Sequence, residues 1–337
     1  MTLKELYENV LVSQEWKYYK TSSLSFSLKD LDNSCVCKNF IETMIMCGGK
    51  NDHYLSKCIG KLDPTRLQHI VSCFLSGFIF YSQFSCIRDS IKKMLDNLPF
   101  PEKKEEKDNK RFAYIWFLIC LFHDLGYAIE NDRIALPEEI INSLPNRPLY
   151  IPKIYSKRNI NRYKKYRECR WKVKDHGIYG GEIFFSEMCE LREKKEKENS
   201  DLYWGKEMVK IYACAAWIIL CHNIFYIKRE DENKCCYEHY KLDSFVVDSV
   251  SRNILWKKHS LLFLFCLIDT IEPIKVSKNT DILDKVKVEY NSSMITLDFS
   301  ALENNDKIKY LNKINDLNNW LIDVRTTKDV VSIYFNM

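Results

Sequence analysis

Six residues stand out by type and setting: His69, the adjacent pair His123-Asp124, His176, His222 and Asp269. They fall on five segments separated by 54, 53, 46 and 47 residues, counting from His123 for the pair. His123-Asp124 closes the apolar run Ile115-Trp116-Phe117-Leu118-Ile119-Cys120-Leu121-Phe122, His222 follows Ala215-Ala216-Trp217-Ile218-Ile219-Leu220-Cys221, and Asp269 follows Leu261 to Ile268. A carboxylate or imidazole in such a setting is costly to bury unless it is paired, hydrogen-bonded or bound to metal. Singly, each has a plain reading as a satisfied core histidine, a helix cap or an ion-pair partner. Together they point to a shared cation, which offsets every desolvation cost at once. A mixed imidazole and carboxylate set suits Mn, Fe, Co, Ni or Zn better than Ca.

The elements that must position these groups read as helices. Apolar residues recur at helical spacing from Thr65 to Phe84, with Pro64 suited to a first turn. A second amphipathic helix spans 85–99. After a charged linker, Glu102 to Lys110, an apolar helix runs from Arg111 to about Glu130. Residues 131–175 read as a long loop with at most short helices, broken by Pro137, Pro145, Pro148 and Pro152. Further helices begin near Asp175 and cover about Gly205–Lys228 and Lys257–Ile271, the last stopped by Pro273. Beyond it, Val286–Tyr290, Ile295–Phe299 and Val330–Phe335 alternate as strands do, with a helical stretch Asp306–Ile322 between them. The fold class is therefore mainly α: a helical bundle with a small C-terminal α+β (ββαβ-like) appendage. We divide the chain into an N-terminal extension (1–60), a central domain (61–275) carrying a basic insertion (131–175), and the appendage (276–337).

The 337 residues are 46% apolar and 29% charged, ordinary for a globular protein with a sizeable core. With 9 glycines and 8 prolines the chain favours long regular elements over a turn-rich β architecture. The net charge of +5 is too modest to imply nucleic-acid binding by itself. The N-terminus lacks the apolar core of a signal peptide, and we find no run of about 18 apolar residues. We therefore expect a cytoplasmic protein without a membrane span, whose 14 cysteines are reduced thiols. The cluster Cys35, Cys37, Cys47, His53 and Cys58 lacks the paired C-x-x-C knuckles of a structural zinc site. His53, His239 and His259 lie in polar settings and read as surface residues.

The chain resembles the HD superfamily of metal-dependent phosphohydrolases over about residues 60–275. The resemblance rests on Arg66-x-x-His69, His123-Asp124-Leu125-Gly126, Lys174-Asp175-His176-Gly177 with Gly180-Gly181, His222-Asn223, and Asp269. It is closest in pattern to the expanded, two-metal version. It implies a helical bundle in which His69, His123, Asp124 and Asp269 hold one divalent ion, while Asp124 bridges to a second held by His176 and His222. Tyr127 stands where many relatives have Lys, and the His-rich element of the triphosphohydrolase branch is absent after the HD pair.

Two such cations clamp a phosphoryl group and acidify a water between them. Charge developing on phosphate oxygens calls for further cations, and Lys174 and Arg66 are the candidates beside Asp124. Asn223, Arg170 and Tyr127 complete the candidate substrate contacts, although Asn223 could instead cap a local bend. From Arg147 to Asp175 there are 11 Lys/Arg against two acids, interleaved with Tyr150, Tyr155, Tyr163, Tyr166 and Trp171. Cations contact phosphates and aromatic faces stack on bases, so the expected partner is a nucleotide or oligonucleotide. The expected activity is hydrolysis of a phosphate ester in a nucleotide, a cyclic nucleotide signal or an oligonucleotide. The alternatives are a catalytically weak nucleotide sensor and a single-strand nuclease. Nothing in the sequence supports a particular oligomeric state.

Overall fold

The computed structural model describes residues 1–17, 24–50, 52–100, 108–130, 161–167, 175–198, 203–223, 240, 259–277, 280–317 and 324–335. The protein is mainly helical. Four N-terminal helices, α1 (Leu3–Ser13), α2 (Ser34–Cys47), α3 (His53–Ile59) and α4 (Pro64–Gln83), lead into α5 (Ser85–Asp96) and α6 (Asp108–Phe122). A turn separates α6 from the short α7 (Tyr127–Glu130), and α8 (His176–Lys197), α9 (Met208–Cys221), α10 (Ser260–Ile271) and α11 (Pro273–Ser277) follow. The chain closes with α12 (Ile282–Lys285), β1 (Lys287–Asn291), β2 (Met294–Asp298), α13 (Asn304–Leu317), β3 (Val324–Thr326) and β4 (Val330–Tyr334).

Helix α4 is the central element. Pro64 occupies its first turn, where the missing N–H is no loss. Almost the whole helix, from Leu67 to Tyr81, is buried. It packs on α1, α2, α5, α6, α10 and α11. The stretch Lys110–Glu130 is long and apolar enough to cross a membrane by length and composition, yet 94% of its most apolar 18-residue window is buried inside the protein. The expected continuous helix to Glu130 breaks at His123–Gly126. Glycine is required in this turn: a Cβ on Gly126 would lie 1.8 Å from the His176 carbonyl oxygen, so the His123–Gly126 turn lies directly against the start of α8. Helices α8 and α9 also approach closely, because a Cβ on Gly181 would lie 2.6 Å from the Ala216 carbonyl.

The C-terminal strands form one antiparallel sheet in the order β1-β2-β4-β3. Strand β3 was not foreseen. It has three residues, of which only Val324 is buried, too short for alternation to register. The chain's first residues join the β1 edge through a Thr2–Lys287 bridge and the Leu3 N–H donating to Val286 O at 2.9 Å. Phe335 of the sheet packs edge-on against Phe80 and Phe84, so the buried core runs continuously from Leu6 to Phe335.

Candidate metal centre

The six residues singled out by type and spacing meet at one point. His69 lies on α4 between Arg66 and Cys73, His123 and Asp124 lie in the turn after α6, His176 opens α8, His222 caps the end of α9, and Asp269 lies in the last turn of α10. His69, His123, Asp124, His222 and Asp269 are all at least nine-tenths buried. The donor atoms of His69, His123 and Asp124 lie within 4.8 Å of one another, as do those of Asp124, His176 and His222, so Asp124 belongs to both groups. Asp269 joins the first: its Oδ1 is 3.0 Å from His69 Nε2 and 3.9 Å from His123 Nε2. Cys73 makes a third group with His69 and Asp269.

The imidazoles share one orientation. Each Nδ1 is tied to an acceptor: Glu272 Oε2 at 2.8 Å for His69, Cys120 O at 2.8 Å for His123, Glu130 Oε2 at 2.7 Å for His176 and Ile219 O at 2.6 Å for His222. A carbonyl can only accept, so His123 and His222 both donate from Nδ1 and turn Nε2 away from it. All four Nε2 atoms face the centre. His123 Nε2 is 3.1 Å from Asp124 Oδ1, yet has no hydrogen-bond partner. His176 Nε2 and His222 Nε2 lie 3.2 Å apart, and the Asn223 amide reaches each at 3.0 Å. Asn223 therefore serves the two imidazoles rather than capping a bend. Helices α6 and α9 also direct their C-termini, the negative ends of their dipoles, at the centre.

The electrostatics follow from burial and pairing. Burial opposes charge on Asp124, but His123 and Arg66 overcome it and hold the carboxyl well below its usual range. Burial opposes charge on Asp269 as well; Lys275 and His69 overcome it. Burial and the neighbouring His176 push His222 down to about 3, leaving it neutral. Burial and Lys275 disfavour charge on His69, yet Asp269 and Glu272 raise its pKa. Arg66 donates to Asp124 Oδ2 at 3.1 Å, and its guanidinium lies 3.2 Å above the Tyr127 ring. That ring stacks on His176 with centroids 3.6 Å apart.

Other predicted residues fare differently. Lys174 and Arg170, with Tyr150, Tyr155, Trp171 and His239, lie outside the described residues. Tyr163 and Tyr166 are fully buried and offer no stacking face; the insertion uses them for packing. His259 is buried against Trp217, not on the surface, because it sits at the start of α10. Tyr127 lies in the stack described above.

Four contributors were missed: Glu130, Glu272, Lys275 and Arg167. Lys275 donates to Asp269 Oδ1 at 2.7 Å. Glu272 accepts from Ser72 Oγ at 2.5 Å as well as from His69, and Ser72 Oγ lies 2.6 Å from the Tyr7 hydroxyl. Arg167 pairs with Asp175, which caps α8 by accepting from the Ile178 N–H, and donates to Asn223 O at 2.9 Å. The available signal was proximity: Glu130 lies six residues after Asp124, and Glu272 three after Asp269, each beside an apolar run.

No family model matches this chain, and neither does any curated protein or solved structure at a significant level.

Proposed function

We propose that the chain is a metal-dependent phosphohydrolase of HD type, acting on a phosphate ester in a nucleotide, cyclic nucleotide signal or oligonucleotide. One observation carries the reading: four imidazoles anchored through Nδ1 turn their Nε2 atoms onto a buried centre shared with Asp124 and Asp269. The orphaned Nε2 of His123 and the facing pair His176–His222 fit cations better than protons alone. In this reading 61–275 is an HD helical bundle with 1–60 as an extension and 276–337 as an appendage. His69, His123, Asp124 and Asp269 hold one divalent transition-metal ion; Asp124, His176 and His222 hold the other. Imidazole and carboxylate donors suit Mn, Fe, Co, Ni or Zn. When bound, such ions supply a Lewis acid for a phosphoryl group and a water acidified towards neutrality.

The chain's own residues do the rest. Glu272 and Glu130 fix the tautomers of His69 and His176, as acidic neighbours of ligating histidines do. Arg66 and Lys275 bring positive charge beside Asp124 and Asp269, where it meets the anionic ester and the charge that builds on its leaving oxygen. The test is elemental analysis of the purified chain joined to a panel of nucleotides and oligonucleotides. The expected outcome is bound transition metal and turnover that disappears in Asp124→Ala. Metal-loaded protein without turnover on the whole panel would remove the catalytic reading.

A further inference from the structure

Helix α4 brings a sulfur to this centre as well as a nitrogen. Cys73 follows His69 by four residues, so the two side chains lie on one face of the helix, a turn apart. Cys73 is fully buried, and His69 and Asp269 nearly so. Its Sγ lies 3.6 Å from each ring nitrogen of His69. Donor atoms of Cys73, His69 and Asp269 all fall within 4.8 Å of one another.

Other buried thiols of this protein are placed differently. Cys37 Sγ donates to the carbonyls of Asp30 and Leu31, and Cys266 Sγ to that of His222. Those groups are satisfied as thiols. Among the described residues no carbonyl accepts from Cys73, whose hydrogen-bonding contacts are the two nitrogens of His69. Each nitrogen already has a closer partner, Glu272 Oε2 at 2.8 Å and Asp269 Oδ1 at 3.0 Å. An S–H bond to either would be a second and weaker one.

The spacing fits a shared ion. With an ion–sulfur bond of about 2.3 Å and an ion–nitrogen bond of about 2.1 Å, a tetrahedral angle sets the two donors about 3.6 Å apart. Sγ and Nε2 stand at that separation. The buried Nε2 of His123, without a hydrogen-bond partner and 3.9 Å from Asp269 Oδ1, marks the same side of the centre as short of a cation. We propose that Cys73, as a thiolate, is a further ligand of the ion held by His69 and Asp269, and that this ion is a thiophilic one, Zn(II) before Mn(II). On binding, sulfur exchanges its proton for the ion and the proton leaves to solvent. Carboxylate and water donors suit Mn(II), whereas a thiolate adds affinity for Zn(II). This rests on the metal-centre reading above and narrows its metal.

The test strips the full chain with a chelator and reloads it with Co(II), which occupies zinc sites and reports its ligands in its spectrum. Wild type should show a sulfur-to-cobalt charge-transfer band in the near ultraviolet, which nitrogen and oxygen donors do not give. Cys73→Ala and Cys73→Ser should each lose the band while Co(II) stays bound. Cys37→Ala, at a thiol already satisfied by carbonyls, should keep it. In chelator competition the two Cys73 variants should hold Zn(II) at least about tenfold more weakly, and Mn(II) nearly as wild type does. The wild-type spectrum tests the ligand even where a variant folds poorly. If Co-loaded wild type lacks the band, if a Cys73 variant keeps it, or if Zn(II) affinity is unchanged, Cys73 is not a ligand. Equal losses for Zn(II) and Mn(II) overturn the choice of a thiophilic ion. A wild-type chain that takes up none of the three ions overturns instead the metal reading on which both depend.

Discussion

His176 Nε2 and His222 Nε2 face each other across 3.2 Å, one at the first residue of α8 and the other just past the end of α9. Both rings are committed through Nδ1, so two Nε2 atoms this close need a shared proton, a donor or a cation between them. Asn223 meets both from one side. Removing one imidazole should therefore empty one position and leave the other. If the two-metal proposal holds, wild type binds two transition-metal ions per chain, His222→Ala is expected to bind one, and Asp124→Ala, which lies in both groups, is expected to bind neither. Elemental analysis after dialysis decides; two ions retained by Asp124→Ala would contradict the bridging role.

Gly126 is the second test, because it concerns backbone alone. A methyl group at this position meets the His176 carbonyl carbon at 2.6 Å and its oxygen at 1.8 Å, and backbone cannot swing aside as a side chain can. Gly126→Ala should push the HD turn off α8 and separate Asp124 from His176. We expect a stability loss of about 3 kcal/mol or more, the scale of severe overpacking, together with loss of metal binding at the proposed Asp124, His176 and His222 position. Urea unfolding that matches wild type would show that the two segments tolerate separation.

Much of this was legible in the sequence, and what was not has identifiable reasons. Polar residues ending long apolar runs gave away His123, Asp124, His222 and Asp269, since such runs become buried core helices. Helix α4 was plain from its spacing and from Pro64. Glu272 and Lys275 were hidden because they sit around Pro273, past the end of the apolar run, where charged residues are ordinarily solvated. Only the fold returns them to His69 and Asp269. Tyr163 and Tyr166 misled in the opposite sense: among eleven basic residues they looked like exposed stacking faces, but tertiary packing buries both. Strand β3 was too short for a period to show, and the Thr2–Lys287 bridge joins residues 285 positions apart, beyond any local pattern.

Glu272 links the N-terminal extension to the centre. Its carboxylate accepts from His69 and Ser72, and Ser72 Oγ shares a close contact with the Tyr7 hydroxyl of α1. Glu272→Ala leaves a buried imidazole, a hydroxyl and two amides without their acceptor, which should cost about 3–5 kcal/mol. Tyr7→Phe removes a hydroxyl that joins Ser72 to Ser76 but leaves Glu272 in place, and should cost about 1 kcal/mol. The metal should also be held more weakly in Glu272→Ala, since His69 loses its orienting partner, by about 10–100-fold. Chemical denaturation and competition with a chelator measure the two effects; an unchanged metal affinity would make Glu272 purely structural.

Lys50 supplies a pH prediction away from the centre. It is 3% exposed, with its ammonium 3.8 Å from the Trp204 ring centroid and 5.5 and 5.6 Å from those of Tyr212 and Tyr114. Burial pushes its pKa down to about 7 from 10.5. Between those values the unfolded chain binds a proton that the native protein does not, so stability rises as pH increases from about 7 to 10.5. The rings return about 2 kcal/mol of this to the charged form. Lys50→Met should therefore stabilise the protein near pH 7 by about 1–3 kcal/mol, with the gain shrinking towards pH 10.5. Parallel urea titrations at pH 7 and pH 10 measure it, and a gain that grows with pH would reverse the sign.

Arg66 offers the sharpest link between the resting protein and metal. Its guanidinium contacts Asp124 Oδ2 at 3.1 Å and covers Tyr127, which in turn stacks on His176. Asp124 is 2% exposed, and without a metal ion His123 and Arg66 are the neighbours that hold its carboxyl low. Deleting that guanidinium should cost the metal-free chain about 2–3 kcal/mol, because a buried carboxylate is left poorly compensated. A divalent ion on Asp124 supplies the missing charge, so the metal-loaded chain should lose less. The two states therefore respond unequally, and Mn(II) should raise the unfolding midpoint of Arg66→Ala by more than it raises that of wild type. Arg66→Lys restores the charge without the planar stacking on Tyr127 and should fall between them. Equal Mn-induced shifts in wild type and Arg66→Ala would mean that arginine and metal do not act on the same carboxylate.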